Sequence, residues 1–313
     1  MNGDLGADAV AFGRVVREAL GAAGGDELAV RAEADPAQRG ALVGAALADL
    51  GVWDLRPRED EEEAEAAGAA CRSAGWWGLP HPVAERLARP TDLEVDGLVV
   101  VADVRPAAIV AGLDDLRWAA VSLDGRRSTA TPQPMTDSVR KIGFVAPLAL
   151  DPLDDDGAGD VALALVLPAW TLLGMLDRAM ALTLQHIRDR EQFGQPLAQF
   201  QGVQFQLTDA EVERAGLEEL AQHALWTAAT GQRGAVDDAL ALRLAAIEAA
   251  DVVFRVTHQL HGAVGFCDET TLSWISRASQ PLRRLPFGLS ATRAALTQSI
   301  GGHALTGLFG VGP

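Results

Sequence analysis

Tyrosine is absent from this 313-residue chain, which removes phenolic general acids from any mechanism. Lysine is scarce, and 26 basic residues face 43 acidic ones, a formal charge of −17. That balance disfavours nucleic acid and anionic membranes as partners, because both rely on Lys/Arg contacts for affinity. Cysteine is nearly missing too. Cys71 and Cys267 are far apart with no metal-like spacing, and read as buried, reduced thiols of a cytoplasmic protein. No apolar run of membrane-spanning length is free of charged or helix-breaking residues. The start, Met1-Asn2-Gly3-Asp4-Leu5, has neither the basic flank nor the apolar core of a secretory leader. The length predicts two or three modest domains with ample chain for a packed core.

What is present falls into three segments, 1–91, 92–157 and 158–313. In the first, Phe12, Val15, Val16, Ala19 and Leu20 recur at helical spacing, and Gly21 with Gly24-Gly25 stops that helix. Asp35-Pro36 supplies an N-cap and an N1 proline before Leu42, Val43, Ala46, Leu47 and Leu50, and Gly51 ends the run. The acidic stretch from Glu59 to Glu65 opens a third helix, where negative charge suits the positive end of the macrodipole. A partner-binding acidic tail is the rival reading of that stretch. The middle segment is β-prone at Leu98–Val101, Ala119–Leu123 and Gly143-Phe144-Val145, and predicts a small antiparallel unit closed by an acidic turn at Asp154–Gly157. The last segment predicts four long helices near 161–189, 199–230, 236–260 and 283–300, hence a four-helix bundle.

The most specific stretch is Arg190-Glu191-Gln192-Phe193-Gly194-Gln195-Pro196-Leu197, followed by Phe200-Gln201. About seventy residues on comes His258-Gln259-Leu260-His261-Gly262-Ala263-Val264-Gly265-Phe266. Together they resemble the signature of the acyl-CoA dehydrogenase family: Arg-x-Gln-Phe-Gly after a long helix, then Gln-x-x-Gly-Gly. The resemblance implies a mainly α fold, with an N-terminal helical domain, a small β domain and a C-terminal four-helix bundle. It implies FAD shared between chains, with Arg190, Gln192, Phe193, Gln259 and Gly262 reaching a neighbour's cofactor. Chemistry suits such a role. A pyrophosphate calls for a fixed planar cation with paired donors, and close backbone approach calls for glycine. On the plainer reading Arg190 only caps its helix and Phe193 plugs the turn. Ala263 stands where the pattern has its second glycine. His258 and His261 read as hydrogen-bonding helix-end residues, with no Glu-x-x-His pair to support a metal site.

The family's reaction also needs a desolvated carboxylate to take the α proton of an acyl-CoA. Counting back from Arg190 by one long helix gives Ala164; the alternative position falls in Leu285-Pro286-Phe287-Gly288-Leu289-Ser290. Neither offers an acid, so the catalytic residue is unassigned. Glu269 matches a family glutamate of structural type, and Asp177 beside Arg178 reads as a surface ion pair. Trp118-Ala119-Ala120 lacks the hydroxyl of the family's flavin-touching strand. Acyl-CoA and FAD are polyanions, so either needs local basic groups on this acidic chain. The expectation is a subunit without its own glutamate in a hetero-oligomer with a homologous acyl-CoA dehydrogenase. It would resemble the α2β2 dehydrogenases of actinobacterial steroid side-chain breakdown, with an electron-transfer protein as acceptor. A homotetramer with a relocated base and a cofactor-free scaffold stay as alternatives.

Overall fold

The computed structural model describes residues 5–134 and 144–301. Five helices open the chain: α1 (Ala7–Ala22), α2 (Asp26–Ala34), α3 (Arg39–Ala48), α4 (Glu61–Trp76) and the short α5 (Val83–Leu87). Local chemistry sets their ends. The Asp60 side chain accepts the Glu63 N–H and caps α4, whose first turn then holds Glu61, Glu62 and Glu63. Asp35 accepts the Ala37 N–H and opens one 3-10 turn at Pro36–Gln38 before α3 begins. The acidic stretch is therefore a helix start.

A five-stranded sheet follows: β1 (Gly97–Val100), β2 (Ala107–Ala108), β3 (Trp118–Val121), β4 (Arg126–Pro132) and β5 (Ala146–Asp156), in the order β1-β3-β4-β5-β2. Its β1–β3 pair is parallel, with Gly97 opposite Trp118, so the sheet is mixed and not wholly antiparallel as expected. The expected acidic turn is also corrected. Asp154, Asp155 and Asp156 end strand β5, and the chain turns only at Gly157. Asp155 stays extended because it helps neutralise Arg127 of β4, which also binds Asp92 and Asp160 at 2.6–2.9 Å. Arg58 joins Asp160 from the first helical set at 3.2 Å. This cluster ties the sheet to the helices on either side. Of the third β-prone run, Gly143 lies outside the described residues, Phe144 turns with φ 59°, and pairing starts at Ala146.

The remaining chain comprises α6 (Val161–Asp189), the tiny hairpin strands β6 (Glu191–Gln192) and β7 (Gln195–Pro196), α7 (Gln201–Ala229), α8 (Ala235–His261), α9 (Thr271–Arg284) and α10 (Leu289–Gly301). The single helix expected over 283–300 is two helices, broken at Leu285-Pro286, because a residue before proline is pushed out of the helical region. Helices α6, α7 and α8 pack on one another, α10 lies on α8, and α9 lies on α6. The fold is mainly α, as expected. Helix α6 is apolar enough to cross a membrane by composition alone, yet 83% of its apolar window is buried inside the protein. One apolar core runs from Leu20, Leu47 and Leu87 through Trp170, Leu173 and Leu176 to Val253 and Ile275. A smaller core fills the sheet's other face around Val99, Val110 and Trp118.

Helices α4 and α6 approach unusually closely. A Cβ on Gly75 would lie 1.9 Å from the Thr171 carbonyl oxygen, and one on Gly174 would lie 1.9 Å from the Arg72 carbonyl oxygen. Beside that contact Asp177 binds Arg72 at 2.6 Å and Arg214 at 3.1 Å, while Arg178 turns to Asp26 at 3.3 Å. Asp177 is thus a half-buried tie between three helices and not the surface partner of Arg178. Cys71 is buried, with burial pushing its thiol far up, whereas Cys267 is exposed, contrary to expectation. It follows a short 3-10 segment at the protein surface, Gly262–Phe266.

Candidate functional site

The two sequence motifs meet at one end of the bundle. Helix α6 ends at Asp189 and Arg190 is its C-cap, its N–H bonded to the His186 carbonyl at 2.9 Å. Helix α8 ends at His261, with Gly262 as its C-cap. The two ends are held together by His186 and His261, whose rings stack with centroids 4.4 Å apart. His261 also places Nδ1 2.9 Å from the Thr257 carbonyl oxygen. Burial lowers the pKa of both rings, and the nearby Arg190 guanidinium lowers that of His186 further. Their neutral forms are therefore favoured, and a neutral stack carries no mutual repulsion.

Arg190, Gln192, Phe193, Gln259 and Gly262 are all exposed at this end. The Arg190 side chain has no hydrogen-bond or ion-pair partner among the described residues, so its guanidinium is free to meet an anion. A cationic side-chain helix cap would instead bond the last carbonyls; Arg190 engages the Leu197 N–H through its own carbonyl at 2.8 Å, closing the hairpin. Phe193 (φ 53°) and Gly194 (φ 81°) form that hairpin's two-residue turn, both in the left-handed region that suits such turns. Phe193 does not plug the turn. It stands 93% exposed, edge-on to Phe200 at 6.3 Å. Gly262 has φ 64° and nothing within 4 Å of a notional Cβ, so its backbone is open to an approaching group. A free guanidinium, an exposed aromatic ring and accessible backbone are groups of the kind that could meet a diphosphate and an aromatic ring system approaching from outside this chain. Ala263 is exposed, and its methyl meets no demand for close packing within this chain. Glu269 is exposed as well, at the far side of the 3-10 segment.

The second locus lies where the sheet, α5, α6 and the α9–α10 break converge. Ala164 and Leu285-Pro286, the two places from which a carboxylate is missing, line one cavity. Pro168 lines it as well and gives no N–H to the Ala164 carbonyl, four residues back in α6. Two charged groups share the walls: Glu85 from α5 and Arg243 from α8. Arg243 is held by donation to the Leu282 carbonyl at 3.1 Å and the Phe287 carbonyl at 2.7 Å, while its Nε is buried without a partner. Burial brings its pKa down to about 10. Burial also raises the pKa of Glu85, opposed by a backbone hydrogen bond and by the Arg39 guanidinium.

Sequence reasoning missed both residues. Glu85 belongs to no motif, and a five-residue helix offers no periodicity by which to face it inward. Arg243 was findable, since it interrupts the otherwise apolar face Ala239, Leu240, Leu242, Ala246 and Ile247. On the sheet, Trp118 is 3% exposed and packs over Gly97, and its indole Nε1 has no partner. Ala119 and Ala120 beside it are buried and carry no hydroxyl.

Comparison with known proteins bears on the domain and the fold. Residues 166–290 match the family model for the acyl-CoA dehydrogenase C-terminal domain. Acyl-CoA dehydrogenase IpdE2 of Mycolicibacterium smegmatis is 31% identical over 137 residues, 44% of this chain and 42% of that protein. The match thus spans about two fifths of that curated relative's length. In three dimensions the chain resembles the Tcur3481-Tcur3483 steroid ACAD G363A variant, with TM-score 0.77 and 19% identity over 96% of this chain and 99% of that one. It also resembles the ChsE4-ChsE5 complex from Mycobacterium tuberculosis, with TM-score 0.75 and 16% identity over 97% and 100% of the two chains. At those identities the likeness establishes the fold. Residues 166–290 are thus an acyl-CoA dehydrogenase C-terminal domain by family match, in a chain whose overall fold resembles that of the acyl-CoA dehydrogenases.

Proposed function

We propose that this protein takes part in FAD-dependent α,β-dehydrogenation of an acyl-CoA thioester, as one subunit of a cytoplasmic hetero-oligomer with a homologous acyl-CoA dehydrogenase. The observation that carries the reading is the junction of α6 and α8, where the stacked rings of His186 and His261 bring a free Arg190 and an open Gly262 backbone to one bundle end. Arg190 would hold the pyrophosphate of FAD seated on the partner, with Gln192, Phe193 and Gln259 flanking it. When bound, FAD supplies the hydride acceptor. On this reading the partner supplies the glutamate that positions 164 and 285–290 lack here, and an electron-transfer protein reoxidises the pair. Acyl-chain or steroid preference is not part of the reading.

The test is co-expression with a homologous dehydrogenase subunit followed by measurement of flavin per chain. About one FAD per two chains is expected. One FAD in every chain of a homotetramer would favour the homomeric alternative, and a colourless protein in either setting would favour the scaffold alternative.

A further inference from the structure

A polar hollow lies between the loop that precedes α4 and the linker from α5 to β1. Its walls include three arginines, Arg56, Arg58 and Arg89, against one acid, Glu59, in a chain whose formal charge is −17. Asp160 neutralises Arg58 at 3.2 Å. The other two arginines are not neutralised. Arg56 donates to the Asp54 and Leu55 carbonyls at 2.9 and 3.3 Å, and Arg89 to the Arg86 and Trp53 carbonyls at 3.2 and 2.5 Å. Neither has a carboxylate within ion-pair distance among the described residues, and Glu59 pairs with no cation there. Carbonyls satisfy N–H groups but leave the positive charge in place. Two acids of the linker are engaged elsewhere: Asp92 binds Arg127 at 2.6 Å, and Asp96 accepts the Arg117 N–H at 2.8 Å. Burial lowers the pKa of Arg89 and the Arg56 charge lowers it further, while Asp54 and Asp96 oppose this without reversing it. Arg86, one turn before Arg89, is lowered by burial as well, and its Nε is buried without a partner.

We propose that this hollow binds a phosphate-type oxyanion, either free phosphate or the phosphate of a small monoester, held by Arg56 and Arg89. Planar guanidiniums with unused N–H groups are the donors best suited to a tetrahedral oxyanion. Arg56 keeps Nε and Nη2, and Arg89 keeps Nε, outside any hydrogen bond among the described residues. The hollow has about 240 Å³ of room. A water takes about 30 Å³ of liquid, so an oxyanion with several waters fits. Pockets for cofactor-sized ligands run to roughly 300–1,000 Å³, which restricts the occupant here to a small ion. Arg58 supplies the frame. It donates to the Ala88 and Arg89 carbonyls at 2.5 and 3.3 Å, so with the Arg89–Trp53 bond the two loops are cross-linked from both sides. An anion between Arg56 and Arg89 relieves the repulsion between two cations and braces the linker that enters β1. The site shares no wall residue with the Ala164 cavity or with the Arg190 end of the bundle, so it goes beyond the acyl-CoA reading and is tested apart from it.

Anion titration tests this directly. The purified full chain is titrated at neutral pH with inorganic phosphate and with glycerol 3-phosphate, by calorimetry and by Tm, at an ionic strength held constant with sodium chloride. Arg190→Ala is run beside the wild type, so that any binding at the bundle end is counted separately. One saturable phosphate site and a Tm that rises with phosphate are expected to remain in Arg190→Ala. Arg56→Gln and Arg89→Gln should each weaken that site about 10- to 100-fold, the scale of one hydrogen bond to a charged group. Arg14→Gln, which removes an exposed arginine of α1 outside the hollow, should leave it unchanged. Arg56 bonds only carbonyls of its own loop, so Arg56→Gln should fold even where Arg89→Gln does not. Arg89→Lys should recover part of the affinity. Tighter binding of glycerol 3-phosphate than of phosphate assigns a monoester as the ligand and the reverse assigns the free ion; both support the site. No saturable phosphate binding in Arg190→Ala, an equal rise in Tm with chloride alone, or unchanged affinity in Arg56→Gln and Arg89→Gln overturns it, and leaves the acyl-CoA reading untouched.

Discussion

His186 and His261 stack with their planes 16° from parallel and their centroids 4.4 Å apart. One precedes Arg190 by a helical turn and the other precedes Gly262 directly, so this contact sets the spacing between the two motifs. His261→Ala should cost about 0.5–1.5 kcal/mol of stability, the scale of an aromatic pair. It should weaken flavin retention by the complex more than that modest loss explains, which titration of released FAD would show.

Arg190→Ala is expected to lower flavin retention while shifting stability by no more than about 0.5 kcal/mol, since the side chain has no internal partner. Urea unfolding and the flavin absorbance of the purified complex separate the two effects. Arg190→Lys should restore charge but not paired donation, and recover only part of the binding.

Asp177 ties α6 to Arg72 of α4 and Arg214 of α7, and Glu218 completes the network with Arg214 at 2.8 Å. Asp177→Ala would leave the Arg72 and Arg214 guanidiniums bridged by Glu218 alone across a half-buried contact. A loss of roughly 2–3 kcal/mol is expected, read from the denaturation midpoint. A change within experimental error would mean solvent screens the network.

Gly174→Ala should be far worse. The new methyl would overlap the Arg72 carbonyl, and neither helix backbone can yield without disturbing the core around Trp170 and Leu173. Overpacking of this kind costs about 1–3 kcal/mol or more. Here the upper end or outright failure to fold is expected, seen as insoluble expression or a large fall in Tm.

Four histidines make stability fall in mild acid. Burial lowers the pKa of His81, His186, His258 and His261, most strongly for His81, which also faces Arg39 and Arg86. The unfolded chain therefore binds more protons between the depressed native values and about 6.5, and stability rises with pH through that window. Glu85 acts in the opposite sense, because its raised pKa favours the protonated native form as pH falls. Tm measured from pH 7.5 to 5 should drop, and His81→Gln should flatten the drop most.

Local signals fixed much of the helical framework in advance. The acidic opening of α4, the Asp35-Pro36 start and the Phe-Gly turn each act through residues a few positions apart, so the chain's order reveals them. The family motif was equally legible, because its cation, turn and second helix are contiguous. The parallel β1–β3 pairing was not, since four-residue buried strands show no alternation to distinguish pairing direction. Nor was the role of Asp177, whose partners lie 105 and 37 residues away.

By itself, then, the amino-acid order determined that this is an α-rich, acidic chain with an Arg-x-Gln-Phe-Gly motif and no acid at positions 164 or 285–290. Tertiary structure alone decided that those two positions face one cavity, and that Glu85 and Arg243 reach it from α5 and α8. The reason is physical. Caps, turns and periodicity are written in neighbouring residues, whereas a cavity is what remains after distant helices have packed, and its walls come from wherever the core leaves them.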